Sequence, residues 1–98
     1  MEEYFVWMMT RRIKPGTFND FVRAWRADTR PEGMLRAYAY WSQDQQEIIG
    51  ISFWPSEELC EAWRASEDEA RRRQAMAPYI LDEKEAIYRG RELFVPDR

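Results

Sequence analysis

Four segments of this sequence alternate as β-strands do, yet both alternating sets in them are apolar. In Tyr4–Lys14 one set is Phe5, Trp7, Met9, Arg11 and Ile13, and the other is Tyr4, Val6, Met8, Thr10 and Arg12. In Met34–Ser42, Leu35, Ala37, Ala39 and Trp41 alternate with Met34, Arg36, Tyr38 and Tyr40. In Glu47–Trp54, Ile49, Ile51 and Phe53 alternate with Ile48, Gly50, Ser52 and Trp54. In Glu85–Val95, Ile87, Leu93 and Val95 alternate with Tyr88 and Phe94. Successive strand side chains point to opposite faces, and an antiparallel sheet with one wet face alternates cleanly between apolar and polar. A sheet made of these strands therefore has to be covered twice. We place Trp7, Met9, Tyr38, Tyr40, Ile48 and Trp54 opposite Val6, Met8, Ala37, Trp41, Ile49 and Phe53. Helices of the same chain cover one face. A second copy, packed sheet to sheet, is the expected cover for the other, because apolar patches beyond roughly a few hundred Å² rarely stay exposed.

The segments between the strands read as helices and turns. Pro15-Gly16 closes the first strand. Thr17 opens a helix, with Thr17-x-x-Asp20 resembling a capping box in which Asp replaces Glu or Gln. Phe18, Phe21, Val22 and Trp25 form its apolar stripe, and Pro31 and Gly33 end it. Ser42–Gln46 reads as a hairpin loop. Gly50 marks a bulge or a close backbone approach, or is simply tolerated in the sheet. Trp54-Pro55 stops the third strand. Ser56 caps the next helix, with Glu57 and Glu58 in its first turn and Leu59, Ala62 and Trp63 as its inner stripe. Ser66-x-x-Glu69 is a capping box for a third helix that runs to about Met76 and ends at Pro78. Tyr79-Ile80-Leu81 follows as an apolar anchor. The order β-α-β-β-α(α)-β is the ferredoxin-like pattern. It predicts an α+β fold with a four-stranded antiparallel sheet and helices on one side. At 98 residues, without repeats or linkers, residues 1–98 read as one domain.

Charge and residue usage exclude several function classes. Fifteen basic and 18 acidic residues give a net charge of −3, and nucleic-acid binding needs a basic footprint. The run Arg71-Arg72-Arg73 follows Glu67-Asp68-Glu69 and reads as a complement to the helix dipole. Cys60 is the only cysteine, so no intrachain disulfide forms, and it reads as a small packing residue. The chain has no histidine. Metal sites built on His or Cys clusters and His-based triads are therefore excluded within one chain, and no metal or other cofactor is expected. Met1-Glu2-Glu3 lacks the basic start of a signal peptide, and the apolar runs are too short to span a bilayer. The expectation is a cytoplasmic protein without membrane or nucleic-acid partners.

Three stretches carry a likeness through nearly the whole chain. They are Lys14-Pro15-Gly16 with Phe18 and Phe21, then Ile51-Ser52-Phe53-Trp54-Pro55-Ser56-Glu57-Glu58, then Trp63-Arg64-Ala65-Ser66-Glu67. In them the chain resembles the dimeric α+β-barrel proteins of the antibiotic biosynthesis monooxygenase superfamily. The resemblance implies a homodimer whose two sheets close into a barrel, with a cleft between sheet and helices in each chain. Some members oxidise polycyclic phenols with O2, using neither metal nor flavin. Heme-degrading members use an Asn on the first strand, a Trp on the second helix and a His on the third. By position Trp63 matches the Trp, whereas Met9 and Arg73 stand near the other two places, so heme degradation of that kind is not expected. The implied function is a cofactor-independent monooxygenase acting on a small aromatic or phenolic molecule. The alternative is a non-catalytic ligand-binding or structural domain, and a small isomerase or lyase on the same fold is a third reading.

The candidate ligand-binding residues are Met9, Trp25, Arg36, Tyr38, Trp54, Trp63, Arg73 and Tyr79. Trp63 and Trp25 either line the cleft or pack. Tyr38, Tyr40, Tyr79 and Tyr88 either donate to a phenolic ligand or pack with a wet hydroxyl. Arg36 and Arg11 lie within strands, where an unpaired charge is costly to bury. Each either binds an anionic oxygen or pairs with an acid across a dimer. Arg73 either holds a carboxylate in the cleft or sits on a solvated face. No residue is assigned as catalytic. Without His, a general base must be Asp, Glu or Tyr, or the substrate must ionise unaided.

Overall fold

The computed structural model describes residues 3–93. In chain order its elements are β1 (Tyr4–Ile13), α1 (Phe18–Trp25), β2 (Arg36–Trp41), β3 (Glu47–Trp54), α2 (Glu57–Arg64), α3 (Glu67–Met76), a 3-10 turn (Ala77–Tyr79) and β4 (Ile80–Gly90). The strands form one antiparallel sheet in the order β2-β3-β1-β4, the ferredoxin-like arrangement.

Residues opposite one another in an antiparallel ladder share a face. Phe5 pairs with Trp54, Trp7 with Ser52, Met9 with Gly50 and Arg11 with Ile48. This face meets the helices in two apolar clusters. Phe5, Trp7 and Trp54 pack with Cys60 and Trp63 of α2. Ile13 and Ile48 pack with Phe21 of α1 and Met76 of α3. The opposite face carries Val6 beside Phe53, Met8 beside Ile51 and Thr10 beside Ile49. Among the described residues, neither cluster includes a residue of that face.

The register of β2 corrects the expected division of faces. Tyr38 pairs with Ile51 and Tyr40 with Ile49, so both tyrosines stand on the open face, while Ala37, Ala39 and Trp41 stand on the helix face. A one-residue change of register exchanges the two sets, and the hairpin sets the register here. Ser42 N–H donates to the Glu47 carbonyl at 3.0 Å, and Gln45 takes a φ of 59°. Asp44 Oδ1 accepts from Ser42 Oγ at 2.6 Å and from Gln46 N–H at 3.0 Å. These bonds, Ser42's first, hold the Asp44 carboxyl below its ordinary pKa.

Four further expectations change. Thr17 does not cap α1 with its side chain; its hydroxyl donates to the Lys14 carbonyl at 2.6 Å, and Asp20 pairs with Arg23. The helix ends at Trp25 instead of near Pro31: Arg26 turns extended, and the Trp25 carbonyl accepts from Arg72 of α3. The inner face of α2 buries Cys60 with Trp63, whereas Ala62 is exposed. The last strand starts at Ile80 and ends at Gly90, so Tyr79-Ile80-Leu81 leads straight into it; Phe94 and Val95 lie outside the described residues. No helix among the described residues is long and apolar enough to cross a membrane.

Candidate functional site

A cavity of about 280 Å³ opens between the sheet and the helices, with walls drawn from the region of both clusters. Its floor is a run of small residues on the helix face: Ala37 of β2, and Gly50 and Ser52 of β3. Where the sheet offers no large side chain, the helices cannot close onto it. Gly50 forms no bulge and meets the Trp25 ring at ordinary van der Waals range; a Cβ there would sit 3.4 Å from that ring.

Three indoles form the walls. Trp7 from β1 is 5% exposed, Trp63 from α2 is 9% exposed, and Trp25 from α1 is half-buried. Trp7 is fixed at its edge, with Nε1 donating to Glu85 Oε2 at 2.8 Å. The guanidinium carbons of Arg64 and Arg73 lie 5.3 and 6.0 Å from the centre of its ring. Met9 and Met34 complete the apolar lining. Such a site suits a flat apolar ligand, since aromatic side chains prefer offset-stacked or edge-to-face ring neighbours.

The charged lining is basic. Arg11 is 3% exposed, and its Nε donates to Glu83 Oε2 at 3.2 Å. Its acid partner is therefore a residue of the same chain, on the neighbouring strand β4. Burial pulls the Arg11 guanidinium below its ordinary pKa; Glu83 opposes that pull, and nearby Arg72 adds to it. Arg72 donates through Nε to Glu69 Oε1 at 2.8 Å and through Nη1 to the Trp25 carbonyl. Glu69 is fully buried and also accepts from Arg73 Nε at 3.2 Å. The Ser66–Glu69 capping box thus forms only by half. Ser66 Oγ accepts from Glu69 N–H at 3.1 Å, while the Glu69 carboxylate turns to the two arginines. Likewise, Arg72 does more than complement a helix dipole: it ties α3 to α1 and faces the cavity.

The structure brings together three of the eight sequence-derived candidates, Met9, Trp25 and Trp63. Arg73 lines a neighbouring cavity of about 580 Å³ between β1, β4 and α3, which shares Met9 and Arg11 with the first. Arg36 and Tyr38 lie outside the site, because the β2 register turns them to the open face. Trp54 is sealed in the core, donating through Nε1 to Ser52 Oγ at 2.8 Å. Tyr79 packs beside the Ile13–Phe21–Met76 cluster, away from the cavity. Trp7, Arg72 and the small floor residues were missing from that set. The small residues Ala37, Gly50 and Ser52 at alternate strand positions are the signal that could have found the floor.

No protein-family model and no curated protein matches the sequence. Solved structures do match in three dimensions. A monooxygenase of Streptomyces coelicolor, determined in complex with nanaomycin D, superposes with a TM-score of 0.80 at 21% identity, over 96% of this chain and 93% of that one. A protein of Pseudomonas aeruginosa gives 0.77 at 17% identity, over 95% and 98%. A variant of a cofactor-independent oxygenase from Streptomyces nogalater gives 0.74 at 14% identity, over 99% and 100%. Agreement over nearly the full length of each partner shows that the chain has the fold of the antibiotic biosynthesis monooxygenase superfamily.

Proposed function

We propose that this protein is a cofactor-independent monooxygenase that oxidises a small aromatic or phenolic molecule in the sheet–helix cavity. The observation that carries this reading is the cavity itself: three indoles around a floor of Ala37, Gly50 and Ser52, with Arg11 and Arg72 facing inward. Indoles hold a flat ring, and fixed cations stabilise oxyanion charge as it develops. In the reaction class, a phenol and O2 give a quinone and water, so the substrate supplies both electrons that O2 needs beyond the atom it transfers. The monooxygenase of Streptomyces coelicolor and the cofactor-independent oxygenase of Streptomyces nogalater, which share this fold, support the same class.

The working unit in this proposal is a homodimer. Tyr38, Tyr40 and Tyr88 are 44%, 54% and 54% exposed, and they surround Val6, Met8, Ile51 and Phe53 on the face that the helices leave open. A second copy covers that face.

Oxygen uptake with a panel of phenols and hydroquinones tests the activity. Substrate-dependent uptake that Trp63→Ala or Trp7→Ala reduces at least about tenfold supports it. Zero uptake over the panel, with an aromatic ligand still bound in native mass spectrometry, would favour a non-catalytic ligand-binding module instead.

A further inference from the structure

We infer that the cavity takes its aromatic ligand as an anion, whose ring-borne oxyanion is held between the guanidinium groups of Arg11 and Arg72. The inference rests on the aromatic-site reading above and adds the charge state of what enters.

The first support is the charge of the lining. Arg11, Arg26 and Arg72 face the cavity, and among the described residues lining it there is no Asp, Glu, Lys or Tyr. A neutral phenol entering this space meets no side-chain base to take its proton. A phenolate or an aryl carboxylate arrives with the charge already formed.

The second support is the bonding of the two inner arginines. Arg11 uses Nε for Glu83, and Arg72 uses Nε for Glu69 and Nη1 for the Trp25 carbonyl. Both Nη atoms of Arg11 and Nη2 of Arg72 have no hydrogen-bond partner among the described residues. They are not sealed in protein either; among the described residues the one fully enclosed side-chain nitrogen or oxygen without a partner is Arg64 Nε. Donors anchored at one edge and free at the other are set to receive an oxyanion through the guanidinium fork.

The third support is repulsion. Arg11 is almost wholly buried; Glu83 and Glu69 offset only part of the pull that burial exerts on its charge, and nearby Arg72 adds to that pull. An anion between them relieves both the desolvation and the like-charge cost.

Isothermal titration near pH 7 with 2-naphthoate and its neutral methyl ester tests the inference, with 2-naphthol titrated from about pH 7 to about pH 10. The expected result is naphthoate binding about tenfold or more tighter than the ester. Alternatively, 2-naphthol tightens by that factor as it ionises while the ester stays constant. The first outcome identifies a carboxylate as the anion and the second a phenolate. In either case Arg11→Met and Arg72→Met bring the anion close to the ester in affinity. The wild-type comparison stands even where a variant fails to fold. Equal affinity for naphthoate and ester, with no pH dependence for naphthol, overturns the inference and leaves the aromatic site intact. An anion preference that survives in both folded Arg variants overturns it as well. Failure of all three probes to bind overturns the inference together with the aromatic-site reading.

Discussion

Glu69 is fully buried, and each of its oxygens accepts from an arginine, Arg72 at 2.8 Å and Arg73 at 3.2 Å. Removing Glu69 leaves the mostly buried Arg72 guanidinium short of a partner while the half-exposed Arg73 is solvated, at a cost of about 1–3 kcal/mol. Glu69→Ala is therefore expected to lose stability on that scale in urea unfolding, with the midpoint falling and the slope unchanged. A loss below about 1 kcal/mol would contradict the role assigned to the carboxylate. Cys60 makes a separate prediction. It is 0% exposed, and burial pushes its thiol up to about 12 from an ordinary value of 9.0. Its folded-state pKa is raised, so its contribution to stability is complete below about pH 9 and is lost as pH rises toward 12. Native protein near pH 8 should react with a thiol reagent only as fast as it unfolds, and at once in denaturant. Rapid stoichiometric labelling of the folded chain would place Cys60 at the surface.

The elements differ in how far local sequence determines them. β3 spans Glu47–Trp54 as its alternation predicts, and Ser56 and Ser66 cap α2 and α3 through the bonds their spacing implies. Those features depend on neighbours within a few residues. The end of α1 comes where Arg26 turns extended and the Trp25 carbonyl meets Arg72, a residue 47 positions away, and nothing between Arg26 and Arg30 announces it. The last strand was expected from Glu85, but β4 starts at Ile80, and the charged residues Asp82-Glu83-Lys84 form one edge of the sheet. Charged residues are a common guard on edge strands. The site was legible in its aromatics Trp25 and Trp63, and unread in its floor, because a cavity is made by absent side chains. Arg36 and Tyr38 were drawn in by a face assignment that the hairpin register reverses. Caps give the test at this scale. Ser56→Ala and Ser66→Ala are each expected to cost about 1 kcal/mol. Thr17→Ala should cost about half that or less, since its hydroxyl serves an exposed turn and not the helix N–H groups. Equal costs at all three positions would mean that Thr17 caps after all.

On the scale of the molecule, one sheet separates two apolar surfaces, and the chain's own helices shield most of one of them, leaving Trp41 and Ile87 at its edges about half-exposed. Contiguous exposed apolar surface marks an interaction site, and the tyrosine-rimmed face centred on Ile51 and Phe53 meets that description. Dimerisation through it would fix the sheet that forms the cavity floor without blocking the cavity, which opens on the other side. A lysine in the middle of the open face, Phe53→Lys, is expected to produce a monomer, because an unpaired charge there would be buried on association. The most direct measurement is the molar mass of the unmodified protein by light scattering behind size exclusion at micromolar concentration. Twice the chain mass, falling to the single-chain mass in Phe53→Lys, is the result predicted. A single-chain mass for the unmodified protein would contradict the account.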